Sequence, residues 1–324
     1  MSTNSAALLN VLFEEVSADL IAHYDNNVLM PSSELISNTY NLVGAVGNTM
    51  RIPVTNAWTL GTSGLGESAD INTGTGANND FTPTAVDLAV GKRGSFSFVT
   101  AEALEDGGLS TVSNAVSTRL ARAIAQSTDT AAFKVMLNNT ETAPTGIDVM
   151  DGTTGNNIKV VNGTLTGNQD ICPVFSPEAM AYAVKRLPEL KMWEDVQFDR
   201  TSMVATIRNG FAQIQKDFIK GVAGNTTVGQ AGQHASLSAF GTAVAELRAS
   251  NAPTDVSGFY YAALSPSVEL QLVDQLTHIA NGATVGSLSA IGDRVLMDAL
   301  IGQAVGIRFM RSNNIVTNIP AATP

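Results

Sequence analysis

The stretch that decides the fold runs from Gly94 to Leu137 and reads GSFSFVTAEALEDGGLSTVSNAVSTRLARAIAQSTDTAAFKVML. It begins with the period of a strand, with Phe96 and Phe98 on one face and the serines between them on the other. The period changes at Thr100, a residue type that caps helix N-termini well. The sequence therefore predicts a strand that leads directly into a helix.

The predicted helix is unusually long. Apolar residues recur every three or four positions from Leu109 to Val135, and neither Pro nor Gly occurs between Leu109 and Leu137. At 1.5 Å per residue this segment measures about 43 Å. We interpret it as a spine that crosses a flat or extended subunit.

The residues before this stretch predict an extended hairpin. Strand patterns at 48–58 and 83–100 flank residues 60–82, which are rich in Gly, Asn and other small polar residues. A two-stranded hairpin is marginal in water without a surface to lie on. Loops of this length are usually functional or disordered.

The N-terminal segment predicts short elements without a core of their own. Residues 4–22 have the pattern of an amphipathic helix that ends at His23 and Tyr24, and residues 34–46 are either weakly helical or extended. The whole segment is either a cap on its own subunit or an arm that crosses to a neighbour.

The rest of the chain predicts a mixture of helices and strands. Ser176 as N-cap and Pro177 at the first helical position predict a helix to about Arg186, and residues 211–220 fit either a strand or a helix. From Ser236 onward, the predicted order of helix, strand, helix and strand is α/β in character. The remaining predicted elements are strands at 158–161 and 201–207, helix 236–250, strand 259–264, helix 267–275 and strand 304–311.

Composition favours contact with other protein. The chain is 44% apolar and only 15% charged, against about 25% charged in typical soluble domains. Its net charge of −11 argues against direct nucleic-acid binding as the main task, because phosphate neutralisation needs clustered Lys and Arg. An acidic lining is nevertheless compatible with enclosing nucleic acid without adhesion.

The sequence contains no pattern typical of catalysis. A single cysteine, Cys172, excludes an intramolecular disulfide, and the three histidines lack metal-ligand spacing. We therefore predict no enzymatic activity, no cofactor and no metal. The N-terminus lacks a basic signal region and no run of about 18 apolar residues occurs, so we predict cytosolic folding and no membrane span.

Lys92 and Arg93 form the densest positive charge near the hairpin. They belong either to a solvated bulge or to an inter-subunit contact with the acidic residues Glu102, Glu105 or Asp106 of a neighbour.

The order of these features resembles the HK97-like major capsid proteins of tailed bacteriophages. An N-terminal segment, a long hairpin with a Gly-rich tip, and the junction VGKRGSFSFVTAEALED from Val90 onward precede the spine helix. Later segments resemble parts of the family's axial domain: ASNAP at 249–253, FYYAALSP at 259–266 and IGQAVGIRFMRSNN at 301–314. Residues 175–211 resemble a segment that returns to the peripheral domain, but in the family it lies downstream.

The resemblance implies an α+β, HK97-like fold. It divides the chain into an N-terminal arm (1–48), an E-loop hairpin (49–100), a peripheral (P) domain with the spine helix (101–160), a mainly axial (A) domain (161–300) and a C-terminal strand segment (301–324).

The implied function is structural. Copies would assemble in the host cytoplasm into hexamers and pentamers of an icosahedral virion head that encloses double-stranded DNA without sequence-specific binding. The implied partners are other copies of the chain, with scaffolding, portal and cement proteins. The candidate inter-subunit contacts are Lys92, Arg93, Phe96, Phe98, Glu102, Glu105 and Asp106. The alternatives are an encapsulin-like cage for protein cargo and, in a different class, an α/β hydrolase or binding protein.

Overall fold

The computed structural model describes the predicted strand and spine helix and much of the chain around them. The described residues are 18–54, 84–100, 102–103, 109–137, 147–151, 158–161, 169–195, 200–225, 235–273, 302–315 and 317–318.

The described elements form an α+β fold. The helices are α1 (18–27), α2 (Leu109–Met136), α3 (Leu237–Ala249) and α4 (266–273). The strands are β1 (Asn38–Asn41), β2 (Thr49–Val54), β3 (Thr84–Ala89), β4 (Gly91–Thr100), β5 (Asp148–Asp151), β6 (Ile158–Val161), β7 (Gln169–Phe175), β8 (Met180–Asp195), β9 (Arg200–Gln213), β10 (Ile219–Asn225), β11 (Tyr260–Leu264), β12 (Gln303–Ala304), β13 (Ile307–Arg311) and β14 (Thr317–Asn318).

The spine prediction is confirmed, because α2 is an uninterrupted helix of 28 residues. Leu120 and Ile124, in its central part, belong to one core, whereas Phe133 and Met136, near its C-terminus, belong to a second and larger one. The helix therefore connects two cores that would otherwise be separate.

A four-stranded sheet, in the order β1-β8-β9-β4, packs against the central part of α2. β1 runs parallel to β8, and the other pairs are antiparallel. Val99 of β4, Leu190 of β8 and Met203 of β9 project into the core that α1 and α2 complete. The sheet therefore buries one face against helices and leaves the other face uncovered by the described helices.

A second, eight-stranded sheet forms the larger core. Its path is β12-β13-β11-β7-β10-β5-β6, with β14 paired to β7. α3 packs on it through Phe240, and Ser236 caps α3 by accepting a hydrogen bond from the backbone N–H of Ala239 at 3.1 Å. The predicted helix 236–250 and strand 259–264 are thus confirmed with small shifts of their ends.

The predicted hairpin is confirmed in its described part, since β2 and β3 pair antiparallel from Thr49 with Ala89 to Val54 with Thr84. The prediction of one continuous strand over 83–100 is wrong. The chain leaves the hairpin at Val90, and β4 pairs with β9 instead. The hairpin tip at 60–82 lies outside the described residues.

The predicted helix from Ser176 to Arg186 is wrong, because a turn leads there into strand β8. Met180 and Tyr182 lie in the larger core, while Ala181 and Ala183 pack against the hairpin base. Burial on both faces conceals the two-residue period of a strand, because apolar residues occupy every position. Tertiary packing therefore overrides the local helix-start signals.

Three further predictions are adjusted. α1 continues past His23 and Tyr24 to residue 27, and residues 4–17 of that prediction lie outside the described chain. The predicted strand 304–311 is a hairpin of β12 and β13, turned at Val305 (φ 54°) and Gly306 (φ 80°). Residues 211–220 continue β9 to Gln213 and then form a 3-10 turn, Lys216–Phe218.

Candidate assembly surface

Strand β4 presents its aromatic residues to solvent. Its alternation directs Val99 into the core under α2, with the two serines half-buried on the same side. Phe96 and Phe98 point the other way and are 54% and 52% exposed. Large apolar side chains that cluster on a protein surface usually mark an interaction site.

A tryptophan and an arginine extend this surface. The ring of Trp193, on β8, lies 6.2 Å from that of Phe96, which lies 6.4 Å from that of Phe98. The guanidinium carbon of Arg200 lies 5.0 Å from the centre of the Phe98 ring, within cation–π distance. We call Phe96, Phe98, Trp193 and Arg200 the aromatic face.

A row of cations crosses the sheet beside the aromatic face. Lys92 on β4 lies opposite Arg208 on β9, and Arg208 lies opposite Arg186 on β8. Like charges directly opposite each other destabilise a sheet. Arg186 is compensated by Glu189, at 2.8 Å. The row is therefore suited to receive carboxylates from another molecule.

The predicted pair Lys92 and Arg93 is divided between two environments. Lys92 is exposed, on the same side of β4 as the phenylalanines. Arg93 points inward, and its Nε donates to Oδ1 of Asn209 at 2.9 Å. The amide nitrogen of Asn209 in turn donates to the hydroxyl of Thr128 on α2, at 3.3 Å. Burial lowers the pKa of the Arg93 guanidinium from its usual value.

The acidic candidates follow the end of β4. The hydroxyl of Thr100 accepts a hydrogen bond from the backbone N–H of Ala103 at 3.3 Å, as expected of a helix N-cap. Glu102 is exposed in this turn. Glu105 and Asp106 lie outside the described residues.

Sequence reasoning did not identify Trp193 or Arg200. Residues 190–193 alternate Leu, Lys, Met and Trp, and Leu190 and Met192 do face the core. This two-residue period was the available signal, and it was obscured by the helix predicted just before it.

The base of the hairpin is anchored close to this surface. Ile52, Leu88 and Val90 pack against alanines of β8 and β9. A Cβ atom added to Gly210 of β9 would lie 2.1 Å from the carbonyl oxygen of Ala89, so the two backbones are in direct contact. Nζ of Lys185 donates to Oδ1 of Asn48 at 2.9 Å, at the entry to the hairpin.

In the part of the chain that the structure describes, neither a metal-ligand cluster nor a reactive cysteine occurs. None of the clusters they form brings together three or more His, Cys, Asp or Glu side chains as a metal would require. Cys172 is fully buried, and burial raises the pKa of its thiol to about 12, so it is not a nucleophile at neutral pH. None of the described helices is both long and apolar enough to cross a membrane.

Solved structures similar to this chain are capsids and particles. The capsid of bacteriophage JBD30 aligns with a TM-score of 0.51 and 10% sequence identity, over 87% of this chain and 90% of that one. The JBD30 procapsid aligns with a TM-score of 0.47 and 12% identity, over 86% and 91% of the two chains. A virus-like particle from Pyrococcus furiosus aligns with a TM-score of 0.43 and 9% identity, over 65% and 98%.

Comparison by sequence contributes nothing to the assignment, since no family model and no curated protein matches the chain. At 10% identity, the likeness to the JBD30 capsid establishes the fold. The spine helix and the two-stranded hairpin are among the features from which the sequence implied that fold, and the four-stranded sheet beside the helix is known only from the structure. The chain thus has the HK97-like fold of phage capsid proteins.

Proposed function

We propose that this protein is a structural major capsid protein. Copies of it assemble into the hexamers and pentamers of an icosahedral phage head that encloses double-stranded DNA. The observation that carries the proposal is the exposed aromatic face on a sheet of HK97-like fold. The proposal includes the division into arm, E-loop, P domain and A domain, and a place in the virion with scaffolding, portal and cement proteins.

The aromatic face supports assembly energetically. Fully burying an exposed Phe side chain contributes about 1.5–3 kcal/mol, and because Phe96 and Phe98 are already about half buried, covering both contributes roughly 1.5–3 kcal/mol per subunit. Aromatic residues and arginine are the types most enriched at the centres of protein interfaces. Trp193 and Arg200 extend the same patch.

The occupant we propose for this face is a second copy of the chain. The chain carries 29 acidic and 18 basic residues, whereas the row across the sheet is cationic. The carboxylates that this row lacks are therefore abundant on another copy. Glu102, Glu105 and Asp106 remain the proposed acidic partners of Lys92, whereas Arg93 contributes mainly by holding β4 to β9 and α2.

Electron microscopy of the expressed full-length chain tests the proposal. We expect closed shells or isolated capsomers, with nucleic acid as the cargo of filled particles. A protein that stays strictly monomeric under all assembly conditions would contradict the proposal. Shells that enclose a specific protein instead of nucleic acid would favour an encapsulin-like cage.

Variants of the aromatic face make the test specific. The double substitution Phe96→Ser and Phe98→Ser should abolish or greatly reduce shells while the subunit stays folded, because both side chains are already exposed. The matched control, Phe96→Leu with Phe98→Leu, keeps most of the apolar area and should still assemble. Circular dichroism of both proteins verifies folding. Normal assembly of the serine variant would show that this face is not an interface.

A further inference from the structure

The exposed side of the spine helix carries positive charge only. Over 115–137, where the side chains of α2 are described, the exposed residues are Ala115, Arg119, Arg122, Gln126, Ser127 and Lys134. Every charged residue among them is a cation, although the whole chain has a net charge of −11. None of the three cations forms an ion pair with a described residue. Their charge is therefore available to a partner.

The acidic residue of α2 does not offset these cations on the surface. Asp129 is 1% exposed, and its Oδ1 accepts hydrogen bonds from the backbone N–H groups of Leu29 at 3.1 Å and Met30 at 3.0 Å. Its other oxygen lies 3.5 Å from the amide nitrogen of Asn314. The carboxylate lines the inner wall of the polar cleft beside α2, where it is almost fully buried and accepts hydrogen bonds from its own chain.

A polar cleft adjoins the same side of the helix. It has a volume of about 460 Å³, and Arg122 and Gln126 form one wall. Asn26 and Asn27, at the end of α1, and Arg311 and Asn313, after β13, complete much of the lining. Arg311 also contacts Glu269, at 2.6 Å, so Arg122 is the cation that the cleft leaves unpaired among the described residues. Amide donors and a free guanidinium are groups that bind phosphate oxygens.

The chemistry of this surface differs from that of the aromatic face. The exposed side of α2 has no large apolar residue in its described part, whereas the aromatic face has three exposed aromatic rings. Protein interfaces concentrate aromatic residues at their centres. Interfaces with nucleic acid are more polar and more positively charged, and most of their contacts go to phosphate and sugar.

The spacing of the cations suits a repeating polyanion. Arg119 and Arg122 lie about 4.5 Å apart along the helix axis, and Lys134 lies about 18 Å farther on. They fall within one side of the helix, because Arg122 and Lys134 are each about 60° from Arg119 around the axis. Duplex DNA carries one negative charge about every 1.7 Å along its axis, so a row of this length faces several phosphates.

We propose that the exposed side of α2, with the adjoining cleft, binds the phosphate backbone of nucleic acid without sequence preference. The proposal rests on the proposed function and adds to it, because it assigns the DNA-facing side of the subunit. Arg119, Arg122 and Lys134 supply the charge, and the asparagines of the cleft supply hydrogen-bond donors. The cationic row across the sheet is assigned to contact with another copy of the chain, so the proposed nucleic-acid contact is confined to α2 and the cleft.

Fluorescence anisotropy with a labelled 30-base-pair duplex tests the proposal. Unassembled full-length protein is titrated at several salt concentrations, with two unrelated duplex sequences. Three phosphate contacts predict a slope of about −2.7 for log affinity against log salt, which is about a 40-fold loss of affinity between 50 and 200 mM salt. Both duplexes should bind equally.

Two matched triple variants distinguish the effect of the three α2 cations from the effect of net charge. Arg119→Gln, Arg122→Gln and Lys134→Gln together should abolish most binding and flatten the salt slope by about 2.7. The control replaces three exposed cations elsewhere, Arg51→Gln, Lys216→Gln and Arg248→Gln, with the same change in net charge. The control should bind as the wild type does. Equal losses in both variants would overturn the assignment to α2.

The remaining outcomes are also decisive. A wild-type protein that forms shells but binds no duplex at low salt would overturn this proposal and leave the proposed function standing. Binding of polyglutamate without binding of duplex would overturn it in favour of an acidic protein partner. Failure of the wild type to form shells or capsomers would instead count against the proposed function.

Discussion

At the scale of residues, Asp129 holds three distant segments together. Its carboxylate accepts the N–H groups of Leu29 and Met30 and lies within reach of the amide of Asn314. The segment after α1, the spine helix and the segment after β13 therefore converge on one side chain. Burial raises the pKa of this carboxyl from its ordinary value, and the hydrogen bonds from Met30 and Leu29 oppose that rise.

Removing the carboxylate should destabilise the subunit. Asp129→Ala leaves the buried N–H groups of Leu29 and Met30 without an acceptor, at a cost of about 1–3 kcal/mol in the free energy of unfolding. Asp129→Asn keeps one acceptor oxygen and should lose less. Chemical denaturation of unassembled protein measures both variants. Equal stability of Asp129→Ala and wild type would contradict this role.

The pH dependence provides an independent check on the same residue. Because the folded-state pKa of Asp129 lies above the ordinary value of 3.8, the folded protein binds this proton more tightly than the unfolded chain does. The contribution of the protonated carboxyl to the free energy of unfolding is fully present below pH 3.8, the ordinary pKa, and it is lost as the pH rises through the folded-state pKa. The free energy of unfolding of the wild type, relative to that of Asp129→Asn, should therefore fall as the pH is raised from 3.8 through the folded-state pKa.

At the scale of elements, the hairpin is positioned by backbone contact. β9 passes directly beneath the end of β3, and Gly210 leaves no room for a side chain next to Ala89. Ile52, Leu88 and Val90 then bury the hairpin base against small residues of β8 and β9. The direction in which the hairpin leaves the subunit therefore depends on a glycine and several alanines.

Gly210→Ala should displace the hairpin base. The new Cβ would lie 2.1 Å from the carbonyl oxygen of Ala89, and because this neighbour is backbone it cannot move aside cheaply. We expect a loss of about 1–3 kcal/mol, typical of overpacking, together with impaired assembly. The control is Gly91→Ala, where nothing lies within 4 Å of the added Cβ, and it should be nearly neutral. Thermal unfolding and electron microscopy measure the two effects.

On the other side of the four-stranded sheet, the spine helix α2 fixes the two cores relative to each other. Leu120 and Ile124 serve the smaller core, and Phe133 and Met136 serve the larger one. Because one rigid element carries both sets of contacts, a displacement of one core is transmitted to the other. Its outer side remains available for the proposed contact with nucleic acid.

At the scale of the whole molecule, exposed cations occupy two surfaces of the described chain, of which only one also carries exposed aromatic rings. The chain is acidic overall, yet cations line the exposed side of α2 and cross the sheet beside Phe96 and Phe98. Exposed aromatic rings accompany the cations on the sheet, whereas the described exposed residues of α2 include none. This arrangement fits a subunit that meets other copies through the sheet and a polyanion through the helix.

Removal of the hairpin tip tests assembly at this scale. Deleting residues 61–79 should leave a folded subunit, because Ile52, Leu88 and Val90 anchor the base independently of the tip. Shell formation should be impaired, because the tip is the segment proposed to reach a neighbour. Circular dichroism and electron microscopy measure the two outcomes. Loss of the folded subunit would show instead that the tip belongs to its core.

The sequence alone determined the parts of the fold that depend on local pattern. The strand at Phe96 and Phe98, the change of period at Thr100, the length of α2 and the helix capped by Ser236 all follow from spacing and capping within a few residues. The resemblance to the capsid fold rested on the order of these elements, and the structure confirmed it.

Only the tertiary structure decided the parts that depend on what covers each face. The first part of β8, to Arg186, was predicted as a helix, because burial of Met180 and Ala181 in different cores leaves no two-residue hydrophobic period there. The alternation of β4 separated the phenylalanines from the serines but did not show which side α2 would occupy. Val99 packs beneath α2 and Arg93 bonds to Asn209, which leaves Phe96 and Phe98 exposed. Periodicity defines two faces of a strand, and only long-range packing decides which of them is buried.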